Sequence, residues 1–261
     1  MSQMTEIIPQ LSILLLIFVR VSAFFVSIPL FSYRTIPPQL KIALALILSW
    51  MMYYTFSIDA ISIDGNYILL ILKEAIIGLM LGVCAFIVFS AVQIAGGFID
   101  FEMGFAMANI IDPQTGTQSP LMGQFLNVLL IFVLLATNGH HLILDGIFYS
   151  YRFLPIDQVF PNFGDAGTAE YIIKLFAAVF TIAFQMAAPV VATLFLVTIA
   201  LGITGKTVPQ LNIFVVGFPI KIAIGFIVLF IVMAVMIQVM KYLVEFMIYA
   251  MRDLMSLLGG A

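Results

Sequence analysis

From Val208 to Ala250 the chain is apolar almost without interruption. That tract is about twice as long as one membrane crossing, since a helical span takes about 20 residues. Five further tracts precede it, at Ile7–Phe31, Ile42–Ile58, Tyr67–Ile99, Leu121–Thr137 and Ala169–Leu201. Lipid offers no partner to a backbone N–H or C=O, so segments of this kind must satisfy their own hydrogen bonds, as helices do. The composition agrees: 64% of the 261 residues are hydrophobic and 9% charged, against roughly a quarter charged in soluble domains. No polar stretch reaches the roughly 50 residues of a small soluble domain. The expected fold is an all-α integral membrane protein, with about six apolar segments forming kinked helical hairpins.

The same figures exclude several function classes. A net charge of −3 cannot build the basic face that nucleic acid requires, and disorder needs low hydrophobicity. The single cysteine, Cys84, rules out a disulfide framework and multi-cysteine metal sites. The opening Met-Ser-Gln-Met-Thr-Glu lacks the basic start of a secretory signal, so the core Ile7–Val19 is read as a retained helix.

Turn formers punctuate the tracts. Pro37-Pro38 breaks the chain after the first tract, Asp59 to Asn66 after the second, and Asp112 to Pro120 after the third. Asn138-Gly139 closes the fourth. Pro29, Pro189 and Pro219 lie within apolar tracts and suggest kinks supported by neighbouring helices. Gly78-x-x-x-Gly82 fits a close helix–helix contact. The length of the last tract, with Gly217, Pro219, Lys221 and Gly225 in its first half, predicts a hairpin or a broken helix. Thr207-Val208-Pro209-Gln210 reads as a capping box with Thr207 as N-cap. Arg34, Lys41 and Lys206 would face the cytoplasm by the basic-loop bias. The Asp112 loop, which six simple spans would put on the same side, has no basic residue, so simple up-and-down topology is not expected.

Few residues invite chemistry. His140, His141 and Asp145 offer two nitrogens and a carboxylate, a set able to bind a metal, but Asn138-Gly139-His140-His141 reads first as a turn at a helix junction. Arg20, Lys73, Glu74, Glu102, Lys221 and Glu245 lie in or beside apolar tracts, where an ionised group costs a few kcal/mol unless paired. Lys73 and Glu74 are expected on different sides of a helix with separate partners; Lys241 and Glu245 stand four apart and can pair. No phosphate-binding loop, Gly-x-Ser-x-Gly or His-Glu-x-x-His motif is present. No catalytic role, cofactor or metal is expected.

Three stretches together resemble the FliR family, flagellar biosynthetic proteins of the type III export gate. They are Ile99 to Ala108 followed by Asp112-Pro113-Gln114-Thr115-Gly116, then Asn138-Gly139-His140-His141, then Pro209 to Pro219. One departure is Glu102, where the family usually carries Gln. The resemblance implies a multi-pass subunit of the bacterial inner membrane at the flagellar basal body. It would join FliP and FliQ, beside FlhB and FlhA, in a gate that passes unfolded flagellar subunits. It also implies a FliP-like helical body over residues 1–200 and a FliQ-like C-terminal hairpin over 201–261. The loop with Asp112, Pro113, Gln114, Thr115, Gly116 and Gln118 would plug the pore. Met103, Phe105 and Met107 would supply soft packing around a passing chain. Gly78, Gly82, Pro209, Gln210, Asn212, Gly217 and Pro219 are expected in helix packing and assembly. The rival readings are an equivalent subunit of virulence secretion, an ion-coupled transporter, and an intramembrane enzyme using His140, His141 and Asp145.

Overall fold

The computed structural model describes residues 2–32, 36–56, 65–105, 120–158, 166–208, 210 and 212–260. The described residues form helices: α1 (Ser2–Ser27), α2 (Pro29–Ser32), α3 (Pro38–Thr55), α4 (Gly65–Met103), α5 (Leu121–Ala136), α6 (Gly139–Phe153), α7 (Ala166–Thr207) and α8 (Ile213–Gly259). α4, α7 and α8 are long and apolar enough to cross a membrane, and α5 with α6 forms a bent pair that adds a fourth candidate. The all-α membrane architecture expected from the sequence is therefore the one observed. At 1.5 Å per residue, α4, α7 and α8 measure roughly 58, 63 and 70 Å, about twice the hydrocarbon core of a bilayer.

Prolines and turn residues set most boundaries. α1 ends before Pro29, and α3 begins with Pro38 in its first turn, where a missing N–H costs nothing. α4 stops at Gly104, whose φ of +89° is left-handed and whose N–H donates back to the Asp100 carbonyl at 3.0 Å, closing the helix as a glycine C-cap does. Asn138 takes a left-handed φ of 56°, so the break read at Asn138-Gly139 separates α5 from α6.

Two expectations fail here. α8 runs unbroken through Gly217, Pro219 and Gly225, so the last tract contains no hairpin of its own. In an apolar medium a helix that opened at Pro219 would strand several backbone groups, whereas continuing through the proline forfeits about one hydrogen bond. The capping box is also absent. Thr207 is the final residue of α7 and its hydroxyl donates back to the Thr204 carbonyl at 2.8 Å. α8 starts instead after Asn212, whose carbonyl accepts from the N–H groups of Val215 and Val216.

The chain divides into two compact units. The first comprises residues 1–88, 138–175 and 245–261; the second comprises 89–137 and 176–244. In the first, a β-carbon added at Gly78 would collide with the Arg20 carbonyl and Ala23, and one at Gly82 with Ser27 and the Phe24 carbonyl. Both glycines let α4 lie directly on α1. The fully buried Leu16, Ile17, Phe24, Ile77 and Leu81 fill that contact. α7 and α8 meet here as well, where the Tyr171 hydroxyl donates to the Ala250 carbonyl at 2.9 Å. In the second unit, Gly96 of α4 faces the Gly123 backbone of α5 with no room for a side chain at Gly96 and a tight fit at Gly123. Phe98 packs edge-on against Phe180 and Phe184 of α7.

Gly82→Val should force Ser27 and the α1 backbone away, costing about 1–3 kcal/mol and lowering the thermal unfolding midpoint in detergent. Gly202→Ala, at a helical position facing open space, should leave that midpoint unchanged or raise it.

Candidate functional site

In the first unit the apolar helices enclose an ionic cluster. Arg20 of α1 and Glu74 of α4 are both fully buried. Arg20 Nε donates to Glu74 Oε2 at 2.5 Å and Nη2 to Oε1 at 3.0 Å, the two-pronged geometry that makes guanidinium–carboxylate pairs strong. The remaining donors reach Ser150 Oγ at 3.0 Å and the Leu154 carbonyl at 2.9 Å, and the guanidinium lies 3.8 Å over the Tyr151 ring. Lys73 joins from the adjacent position, 2.8 Å from Glu74 Oε1, and donates to the carbonyls of Pro155, Ile156 and Gln158 at 2.9 Å each. The expectation that Lys73 and Glu74 would find separate partners is thus only half right. Lys73 takes its own carbonyls and still reaches Glu74. Two cations satisfy the carbonyls that follow the C-terminus of α6, where positive charge is favoured. The pairing of Lys241 with Glu245 does not occur among the described residues.

The second unit holds the base of the segment singled out as a plug. Pro120 precedes α5 and gives it no side-chain cap. Asp100 supplies one from α4, its two carboxylate oxygens accepting from the Met122 N–H at 3.1 and 3.0 Å. A carboxylate against a helix N-terminus also meets the positive end of its dipole. Asp100 and Gly96 therefore fix the end of α4 to the start of α5, on either side of residues 106–119. The end of α4 also rests on α8. Met103 is fully buried with its side chain against Gly225, Gly104 leaves space for the Phe218 ring, and Phe105 lies 6.4 Å from the Phe226 ring. Lys221 donates to the Glu102 carbonyl at 3.3 Å and stands 3.9 Å from its carboxylate. The acidic residue at 102, where the resemblance implies Gln, thus has a cation beside it.

Of the other singled-out residues, Met107, Asp112, Pro113, Gln114, Thr115, Gly116, Gln118 and Pro209 lie outside the described residues. Gln210 and Asn212 are exposed between α7 and α8, Gly217 is buried, and Pro219 is exposed on α8. His140 and His141 stack at 4.1 Å in the first turn of α6. Among the described residues, no group of three His, Cys, Asp or Glu is placed to hold a metal. Asp100, Gly96 and Gly123 were missed by sequence reasoning. The available signal was Pro120 directly before the apolar run, a residue with no side-chain oxygen to accept from the first N–H groups of a helix.

Long apolar helices, clasped in pairs around buried charges and capped in trans, define a helical membrane protein. The family described as bacterial export proteins, family 1, matches residues 11–247. The chain is 51% identical to a flagellar biosynthetic protein FliR of Bacillus subtilis (strain 168) over 98% of its own length and 99% of that protein's. It is 31% identical to the FliR of Pectobacterium carotovorum subsp. carotovorum, over 81% of this chain and 80% of the relative. It is 32% identical to a Yop proteins translocation protein T of Yersinia pestis, over 65% of each. The chain belongs to the FliR family of bacterial export proteins.

Glu74→Ala strands Arg20 in the core and should cost about 3–5 kcal/mol. The double variant Arg20→Met/Glu74→Leu, which leaves no unpaired charge, should cost less than Glu74→Ala alone; thermal unfolding midpoints in detergent read both.

Proposed function

We propose that this chain is a non-catalytic subunit of a flagellar type III export gate. It assembles in the bacterial inner membrane at the flagellar basal body with FliP and FliQ, beside FlhB and FlhA. Unfolded flagellar subunits pass through the assembly, driven by energy supplied elsewhere. The observation that carries this reading is the 51% identity with a flagellar relative from end to end; the likeness to the virulence-type relative covers 65% of the chain. The composition supports it, because many large apolar side chains of α7 and α8 are exposed, among them Phe176, Phe180, Phe184, Phe195, Phe230 and Ile231. Such faces suit lipid and the helices of partner subunits. On this reading residues 1–200 form the FliP-like body and 201–261 the FliQ-like part, with α8 as its long arm.

The loop from Asp112 to Gln118 closes the channel at rest. A passing chain must push the closure aside without unfolding a helix, so the ends of the loop have to stay fixed while its middle moves. The clasp of Asp100 on α5 supplies the fixed end. Met103 is committed to Gly225, so closing around a passing chain falls to Phe105 and Met107. Gln210, Asn212, Gly217 and Pro219 lie on or just before the start of α8, where α8 meets its partners.

The chain should co-purify with small helical membrane subunits. A stable, protease-resistant monomer when produced alone would count against the gate. Deleting Gln114–Gln118 should leave assembly intact and raise membrane conductance, while Phe105→Ala and Met107→Ala give smaller increases. A deletion strain that assembles, swims and conducts like the parent would sink the plug.

A further inference from the structure

The first unit contains a cavity of about 580 Å³ that neither the buried ionic cluster nor the export reading uses. Its walls come from α6 and the end of α8: Leu142, Asp145, Tyr149 and Arg152 on one side, Ile248 and Arg252 on the other. A smaller neighbouring pocket shares Asp145, Tyr149 and Arg152 and adds Thr55 and Phe56 of α3. Arg152 lies over the Tyr149 ring at 4.9 Å. Neither Arg152 nor Arg252 has an ion-pair partner among the described residues. Asp253, next to Arg252 in sequence, is not part of the wall. Two guanidiniums against the one carboxylate of Asp145 leave the cavity one positive charge.

The surroundings carry the side chains that are common at a bilayer surface. α3 ends beside the site, since Phe56 packs on Phe148 and Tyr151. Trp50, Tyr53 and Tyr54 cluster in the two turns before it, with ring centroids 5.6 and 5.5 Å apart, and Trp50 and Tyr54 are exposed. Tyr149 and Tyr249 are exposed on α6 and α8. Trp and Tyr concentrate at the level of lipid headgroups, and arginine is the side chain whose planar fork matches a phosphate. Leu142 and Ile248 continue the cavity wall as apolar surface.

We propose that this cavity binds an anionic phospholipid, its phosphodiester held by Arg152 and Arg252 and its acyl chains lying along Leu142 and Ile248. One net positive charge suits one phosphodiester anion, and the apolar walls select a lipid over a soluble phosphate. The proposal does not depend on the gate reading.

The test uses the full-length chain, with whatever subunits accompany it, in nanodiscs of phosphatidylcholine containing a minor fraction of phosphatidylglycerol. Lipid retained per chain after detergent extraction is counted by mass spectrometry. Arg152→Gln should lower retained phosphatidylglycerol about fivefold and the double variant with Arg252→Gln roughly twentyfold, while Asp145→Asn raises it about fivefold. Retained phosphatidylcholine should not change. The Asp145 arm guards against misfolding, because damage to the fold does not tighten binding; Arg152→Lys/Arg252→Lys should keep most of the lipid. Retention in the double glutamine variant equal to the parent overturns the proposal, as does a loss in Asp145→Asn. Release of the lipid by millimolar glycerol phosphate would show a site for free phosphate and overturn it too.

Discussion

A guanidinium at zero exposure inside an apolar bundle is the constraint around which the first unit is arranged. Removing an ion from water costs several kcal/mol even after relaxation, so Arg20 can be there only if nearly every donor is matched. It is matched by the Glu74 carboxylate, Ser150 and the Leu154 carbonyl. These partners come from α4, α6 and the segment just after α6. A helix face made only of Leu, Ile and Phe can slide by a turn on another such face with little change in energy. A charge with directional partners cannot. The cluster fixes register as much as it contributes stability, and the Gly78–Gly82 face, which seats α4 on α1, has its position set by the same contact.

The second unit solves a similar problem with a smaller device. Its helices must begin and end where backbone groups have no water to turn to, so each end needs a partner within the protein. Gly104 closes α4 on itself, and Asp100, one turn earlier, opens α5. Two residues, four positions apart, thus end one helix and start the next, across the 17 residues that separate Met103 from Leu121 in sequence. That economy matches what the proposed closure needs, which is rigid supports held close together.

Much of this was legible before any coordinates. Apolar tract length located the helices, Pro37-Pro38 and Asn138-Gly139 their breaks, and Gly78-x-x-x-Gly82 the surface that α4 turns toward a neighbour. What the sequence concealed is tertiary. Arg20 and Glu74 are 54 positions apart and Arg20 and Ser150 are 130 apart, and no local pattern links them. Lys73 misled because adjacency on a helix was taken to mean opposite directions, whereas a long flexible ammonium can bend back to its neighbour. The last tract misled because its length, about twice that of one span, was taken to require a break, whereas a helix continues through Pro219 for the loss of about one hydrogen bond. Thr207 misled because a threonine hydroxyl serves a helix C-terminus as readily as an N-terminus.

The participation of residues 245–261 in the first unit bears on how the chain matures. Met247, Met251, Met255 and Leu258 are buried there, Met251 packs on Gly146, and Gly259 sits against the Phe153 carbonyl. Helices made early therefore wait for a segment made much later before their core is complete. Until the end of α8 is made, α1, α4 and α6 hold an unfilled flank. A nascent chain released early by a stop codon near 240 would present that flank permanently, to proteases or to any insertase still attending it.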